Sequence, residues 1–332
     1  IVKNMYQHHY HKQKRYKKTK ILLVIFLLVL FAILGFKYFN KYSSYIDNTN
    51  NVATSTPVVS KPKPIPSEPY FSIYPNSVRQ GDPALIIAEG IASTSSVRSF
   101  TFNVRPLIPF IYEGQVSALL GVDLYSPVGE FPLVLTLNDG RELKGKFVIV
   151  KRPDDRRPFD IPEKLGGNSY QSIKNLISTL AEEGKIINAI PTSNKRLWTE
   201  KFGSPLSIPL VVDDVYGYTR IIGNFTMPHK GVDLNAPMGT PVYSMNKGVV
   251  KFATSTRNYG MTILVDHGVG LQTVYMHLSE IKVTNGQAVE KGELLGLSGD
   301  TGYVLNPHLH VTVRIWDVSI DTMKFLELLG EN

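Results

Sequence analysis

The sequence predicts a mainly β protein: two β domains joined by a short helical connector, preceded by one membrane helix. Three observations carry this. Short apolar segments alternate with glycine- and proline-bearing turns through residues 70–152 and again from about Leu206. Apolar residues at helical spacing occur only around Ile173–Leu180 and near the C-terminus. One unbroken apolar run, from Ile21 to Phe36, stands between lysines Lys20 and Lys37.

Composition supports the same class. A chain of 332 residues with 43% hydrophobic and 19% charged residues has room and apolar content for about two globular cores. The formal charge of +8 invites a nucleic-acid reading, but seven of those charges are Lys3, Lys12, Lys14, Arg15, Lys17, Lys18 and Lys20. The remainder is nearly neutral, so no nucleic-acid partner is expected. The absence of cysteine excludes a structural Cys-type zinc site and says little about compartment.

In chain order, residues 1–20 read as a basic cytoplasmic flank; His8, His9 and His11 belong to it as solvated residues. The apolar run is short for a hydrocarbon core of roughly 30 Å, but Tyr38 and Phe39 extend it and the flanking lysines can snorkel. Residues 21–39 are therefore expected to be an uncleaved signal-anchor. A buried core helix would show a polar stripe, and a cleaved signal peptide would be followed by small residues, not Lys37-Tyr38-Phe39-Asn40. The basic flank predicts a single pass through the cytoplasmic membrane, N-terminus inside and the rest outside. Residues 40–69, with Pro57, Pro62, Pro64, Pro66 and Pro69, cannot build a core and read as a tether.

Residues 70–152 alternate Ala84–Ala88, Ser99–Val104, Val116–Leu120, Phe131–Leu137 and Lys146–Val150 with turns such as Gly81-Asp82-Pro83 and Asn138-Asp139-Gly140. An Ig-like β-sandwich is the natural closure, holding no histidine and read as a spacer or wall-contacting domain. In the connector, residues 153–200, Asn168 is expected to cap a helix that ends near Gly184. Trp198 and Phe202 are expected to dock the connector onto residues 201–332, an antiparallel β domain ending in a helical segment from Asp321 to Leu329.

Five histidines lie in this last domain: His229, His267, His277, His308 and His310. His229 and Asp233 are four residues apart and His308 and His310 two apart, in segments that read as strands. Strand side chains repeat on one face every second residue, so each pair points one way. Two such faces can supply three protein ligands and leave a fourth position open, the pattern of catalytic zinc. The spacing leaves open which histidine of the 308/310 pair binds metal. His267, in Val265-Asp266-His267-Gly268, reads as structural.

His229-x-x-x-Asp233, Gly239-Thr240-Pro241-Val242, Tyr275-Met276-His277-Leu278, Val289-x-Lys291-Gly292, Gly299-x-Thr301-Gly302 and His308-Leu309-His310 follow the order and spacing of the LytM/lysostaphin-type zinc metallopeptidases. The chain resembles that family closely over about residues 200–316. The resemblance implies one zinc ion per chain held by His229, Asp233 and His310, with His308 as general base and His277 orienting water or stabilising the transition state. It implies hydrolysis of peptidoglycan stem or cross-bridge peptides; the alternative is a catalytically silent cell-wall-binding scaffold or activator of another murein hydrolase. Arg220 matches an arginine upstream of the metal motif and is a candidate substrate contact. Asn306 stands where members commonly carry glycine and is another. With Val304, Leu305 and Met261, it marks departures in a substrate-facing loop.

Overall fold

The computed structural model describes residues 68–161 and 163–331. The basic flank, the anchor and nearly all of the tether lie outside the described residues. Among the described residues, no helix is long and apolar enough to cross a membrane.

Between residues 70 and 150 two sheets face each other. One orders its strands Tyr70–Tyr74, Pro83–Glu89, Gln115–Gly121, Phe110–Tyr112; the other runs Val78–Arg79, Glu142–Val150, Gly129–Leu137, Val97–Phe102, Arg105–Pro106. Ile86, Leu120, Phe100, Leu133, Leu135 and Phe147 fill the space between them. Every residue of Pro83–Glu89 is buried, which explains its continuous apolar run: a strand covered on both faces needs no polar alternation. Ala84, Ile86 and Ala88 face the sandwich interior. Leu85 and Ile87, with Phe110 and Leu119, instead join a core that includes Trp198, Phe202, Ile315, Ile320 and Phe325. The sandwich is thus packed on the C-terminal half through an apolar sheet face.

The connector helix spans Tyr170–Asn188. Ser169, not Asn168, is its N-cap, with Oγ accepting from Ser172 N at 3.2 Å. Asn168 is spent one residue earlier, where its Oδ1 accepts from Ile161 N at 2.8 Å and its Nδ2 donates to Asp160. The helix runs past Gly184 because tertiary partners reward its last turn. Ile187 packs with Leu264, Val274 and Met276, and the buried Arg314 guanidinium donates to the Ile187 carbonyl at 3.0 Å, satisfying an acceptor a helix end leaves open.

The C-terminal half is built on a large antiparallel sheet ordered Val212–Asp214, Val232–Leu234, Leu309–Ile315, Leu271–Ile281, Gly260–Gly268, Gly248–Thr256, Ala288–Val289. Arg156–Pro158, Thr219–Ile222 and Phe225–Pro228 form a small sheet beside it. The terminal helix Thr322–Leu329 starts on Asp321, whose carboxylate accepts from Met323 N and Lys324 N.

Candidate metal centre and catalytic groove

Asp233 and His310 lie directly opposite each other on the paired strands Val232–Leu234 and Leu309–Ile315. His229 comes from the loop after Phe225–Pro228, and its backbone is tied down because Gly217 N donates to its carbonyl at 2.8 Å and its own N–H donates to Tyr218 O at 2.9 Å. His308 precedes its strand and bridges to Gly299. The strand periodicity expected of both pairs therefore holds for neither in full: Asp233 and His310 are in strands, His229 and His308 just outside them.

The structure brings His229, Asp233 and His310 together. His229 Nε2 stands 3.2 Å from Asp233 Oδ1 and 3.2 Å from His310 Nδ1, and His310 Nδ1 stands 2.6 Å from Asp233 Oδ1. The outer nitrogens decide what these atoms are. His229 Nδ1 is 2.8 Å from the Val215 carbonyl and can only donate to it. His310 Nε2 is 3.0 Å from Thr312 Oγ1, whose own proton goes to the Lys230 carbonyl at 3.2 Å. Both inner nitrogens therefore carry lone pairs. Burial pushes the His310 imidazole down, towards the neutral form.

In the tautomers that these outer bonds select, two imidazoles and one carboxylate aim lone pairs at one another, an arrangement that a cation among them would relieve. Ligands of tetrahedral zinc, at bond lengths of about 2.0–2.1 Å, stand roughly 3.3 Å apart, close to the spacing here. The donor set and its outer-shell hydrogen bonds fit the metal.

Thr312 and the Val215 carbonyl were not legible as site groups. Thr312 had one available signal, its place two residues after His310 on the same strand face; the Val215 carbonyl had none. Arg220, expected as a substrate contact, lines the groove and is also tied to neighbouring side chains. Its Nη2 lies 3.6 Å from Asp233 Oδ2 and 3.7 Å from Asp214 Oδ2, and its Nε donates to Tyr218 Oη at 2.7 Å. Its guanidinium also lies 4.9 Å from the Phe159 ring centre. A side chain so engaged steadies the second oxygen of Asp233. Asn306 is exposed, and its backbone carbonyl accepts from His308 Nδ1 at 2.8 Å.

His277 and His308 complete the cluster, their rings 5.0 Å apart, with His277 5.9 Å from His310. His277 holds φ at 63°, a left-handed backbone costing on the order of 1–3 kcal/mol outside glycine. Its N–H donates to Tyr259 O at 3.0 Å and its Nδ1–H to Thr301 O at 2.9 Å, which fixes the ring. Burial, with like-charge repulsion from His310 and His308, pushes its pKa down to about 3. His308 Nε2 reaches to 3.6 Å from Asp233 Oδ1. All five residues line a groove of about 690 Å³, walled on one side by Leu180, Gly184 and Ile187 of the connector helix. His267 is elsewhere, fully buried between the Lys247 carbonyl and Thr273 Oγ1, each at 2.8 Å.

Residues 227–322 match the sequence profile of peptidase family M23. Over 202 residues the chain is 35% identical to the peptidoglycan DD-endopeptidase ShyA of Vibrio cholerae serotype O1, covering 57% of this chain and 44% of ShyA. Over 87 residues it is 40% identical to the DD-carboxypeptidase/endopeptidase Mpg of Neisseria meningitidis serogroup B, covering 26% of this chain and 20% of Mpg. A solved peptidase M23 structure from Pseudomonas aeruginosa superposes with a TM-score of 0.55 at 24% identity, covering 77% of this chain and 97% of that one. This last likeness concerns the fold, and the chain spans less than half of each of the two curated relatives.

Proposed function

Because residues 227–322 of this chain are a peptidase family M23 domain, we propose that the protein is a zinc-dependent endopeptidase that cleaves peptide cross-links of bacterial peptidoglycan. The observation that carries this is the convergence of His229 Nε2, Asp233 Oδ1 and His310 Nδ1, with the outer ring nitrogens of both histidines hydrogen-bonded elsewhere, beside two further histidines in an open groove. The names of ShyA and Mpg support a D,D peptide bond as the target. The silent-scaffold alternative has no observation in its favour, since every expected ligand and both further histidines are in place.

His229, Asp233 and His310 would hold the metal. When bound, zinc polarises the scissile carbonyl and brings the pKa of a water towards about 7. The chain's own task is to take and place protons. His308 donates its Nδ1–H to the Asn306 carbonyl, leaving Nε2 free to accept the proton of the attacking water as general base. His277, with Nδ1–H committed to Thr301 and held neutral by burial, likewise presents an acceptor at Nε2. This favours orienting the water over donating to an oxyanion, the first of the two roles the resemblance allows. Arg220 supports the reading by lying 3.6 Å from Asp233 Oδ2 in the groove wall.

The apolar run Ile21–Phe36 and its basic flank support a location on the cytoplasmic membrane, N-terminus inside, with the catalytic groove in the cell envelope.

The test is made on the full-length chain with purified peptidoglycan. The parent should bind about one zinc and release new amino groups, and stripping the metal should abolish release. His308→Ala should keep its zinc while activity falls about 10²–10⁴-fold. Full activity after metal removal, or unchanged zinc binding in His229→Ala, would overturn the proposal.

A further inference from the structure

We propose that Arg152, contributed by the sandwich half of the molecule, is a positioning residue for the metal ligand His229. The inference rests on the zinc reading above, but its starting observation is independent of metal. Arg152 follows the last strand of the sandwich, Glu142–Val150, and its side chain is 19% exposed. Its nitrogens are spread over four groups. Nη2 donates to Asp82 Oδ1 at 3.0 Å and Asp321 Oδ2 at 2.8 Å, Nε donates to the Gln80 carbonyl at 2.8 Å, and Nη1 reaches the Tyr216 carbonyl at 3.4 Å. Its guanidinium also lies 5.2 Å from the Tyr216 ring centre.

Tyr216 is the middle of the segment that holds His229. The residue before it, Val215, accepts the His229 Nδ1–H. The residue after it, Gly217, donates its N–H to the His229 carbonyl, and Tyr218 accepts the His229 N–H. The segment Val215–Tyr218 therefore sets both the backbone and the tautomer of the ligand. Tyr216 itself is 3% exposed and packs where glycine is required: a Cβ on Gly81 of the sandwich would lie 2.6 Å from its ring. Its hydroxyl donates to the Ser319 carbonyl at 2.7 Å. A second tie runs alongside, from Lys230, the residue after His229, to Asp123 of the sandwich at 3.8 Å.

The chemistry calls for arginine. Asp82 and Asp321 are both nearly buried and like-charged, and they need one cation with several donors in a fixed fork. A guanidinium neutralises them while reaching the Tyr216 backbone with another nitrogen; an ammonium is a single point charge and cannot span these partners. The sandwich is thereby a wall of the metal site at one remove.

The test compares Arg152→Ala, Arg152→Lys and the exposed sandwich control Arg141→Ala with the parent, all in the full-length chain. Two readouts are taken: amide exchange across residues 213–230, and zinc affinity by competition with a chelator. The expected result is about tenfold faster exchange and about tenfold weaker zinc binding in Arg152→Ala, the lower end for loss of an outer-shell partner. Arg152→Lys should give a smaller loss in the same segment, and Arg141→Ala none. If Arg152→Ala does not fold, the Arg152→Lys comparison decides alone. Parent-like exchange and parent-like zinc affinity in a folded Arg152 variant would overturn the proposal. Should the parent itself bind no zinc, the metal reading fails, and the exchange of residues 213–230 still decides whether Arg152 holds the segment.

Discussion

Thr312 acts on the site through a single proton. Its hydroxyl gives its hydrogen to the Lys230 carbonyl and takes one from His310 Nε2, so Nδ1, the candidate ligand nitrogen, is left bare. Replacing it by the near-isosteric valine removes the acceptor, frees the tautomer and leaves the His310 Nε2–H without its partner. Thr312→Val is expected to weaken zinc binding about 10–100-fold, read by chelator competition. Arg220 belongs to the same scale. Its contacts to Asp233, Asp214, Tyr218 and Phe159 fix its guanidinium in the groove wall beside Asp233.

Two elements meet at the metal triad, and their register matters more than their propensity. Val232–Leu234 pairs with Leu309–Ile315 so that Asp233 faces His310, and a slip of one residue would turn each ligand to the opposite side of the sheet. Gly231 permits the approach. A Cβ there would lie 2.2 Å from His310 Nε2 and 2.7 Å from Thr312 Oγ1. Gly231→Ala is expected to cost at least about tenfold in zinc affinity through displacement of His310, with the sheet's circular dichroism unchanged. The connector helix contributes in the same way: Glu183, buried, accepts from the Asn258 and Tyr259 N–H groups, and Tyr259 in turn holds the His277 backbone.

At the scale of the whole molecule, a buried histidine outside the groove couples stability to pH. Burial pushes the His267 pKa from 6.5 down to about 4. The unfolded chain therefore binds the extra proton over that window, and stability, full above pH 6.5, is lost as pH falls towards 4 and no further below it. The window corresponds to about 3 kcal/mol, since one unit is worth about 1.4 kcal/mol. Denaturant midpoints measured from pH 7 to 4 should fall more steeply for the parent than for His267→Gln. The glutamine variant starts lower at pH 7 because it cannot reproduce both hydrogen bonds.

The residue types of the site, the β class of both halves and the existence of the connector helix were determined by the sequence itself. Ligand chemistry resides in side-chain identity, and short-range spacing reports strands, turns and a helix without reference to distant residues. Tertiary structure decided the rest. His229 and His310 are 81 residues apart in the chain, and the groups that set their tautomers, a carbonyl at Val215 and a hydroxyl at Thr312, are ordinary until the fold places them. The helix overran Gly184 because Arg314, far along the chain, capped its end. The sandwich became part of the C-terminal half because Leu85 and Ile87 turned outward onto that half's core. These outcomes depend on which surfaces bury one another and which buried donors find acceptors, and both are properties of the packed molecule.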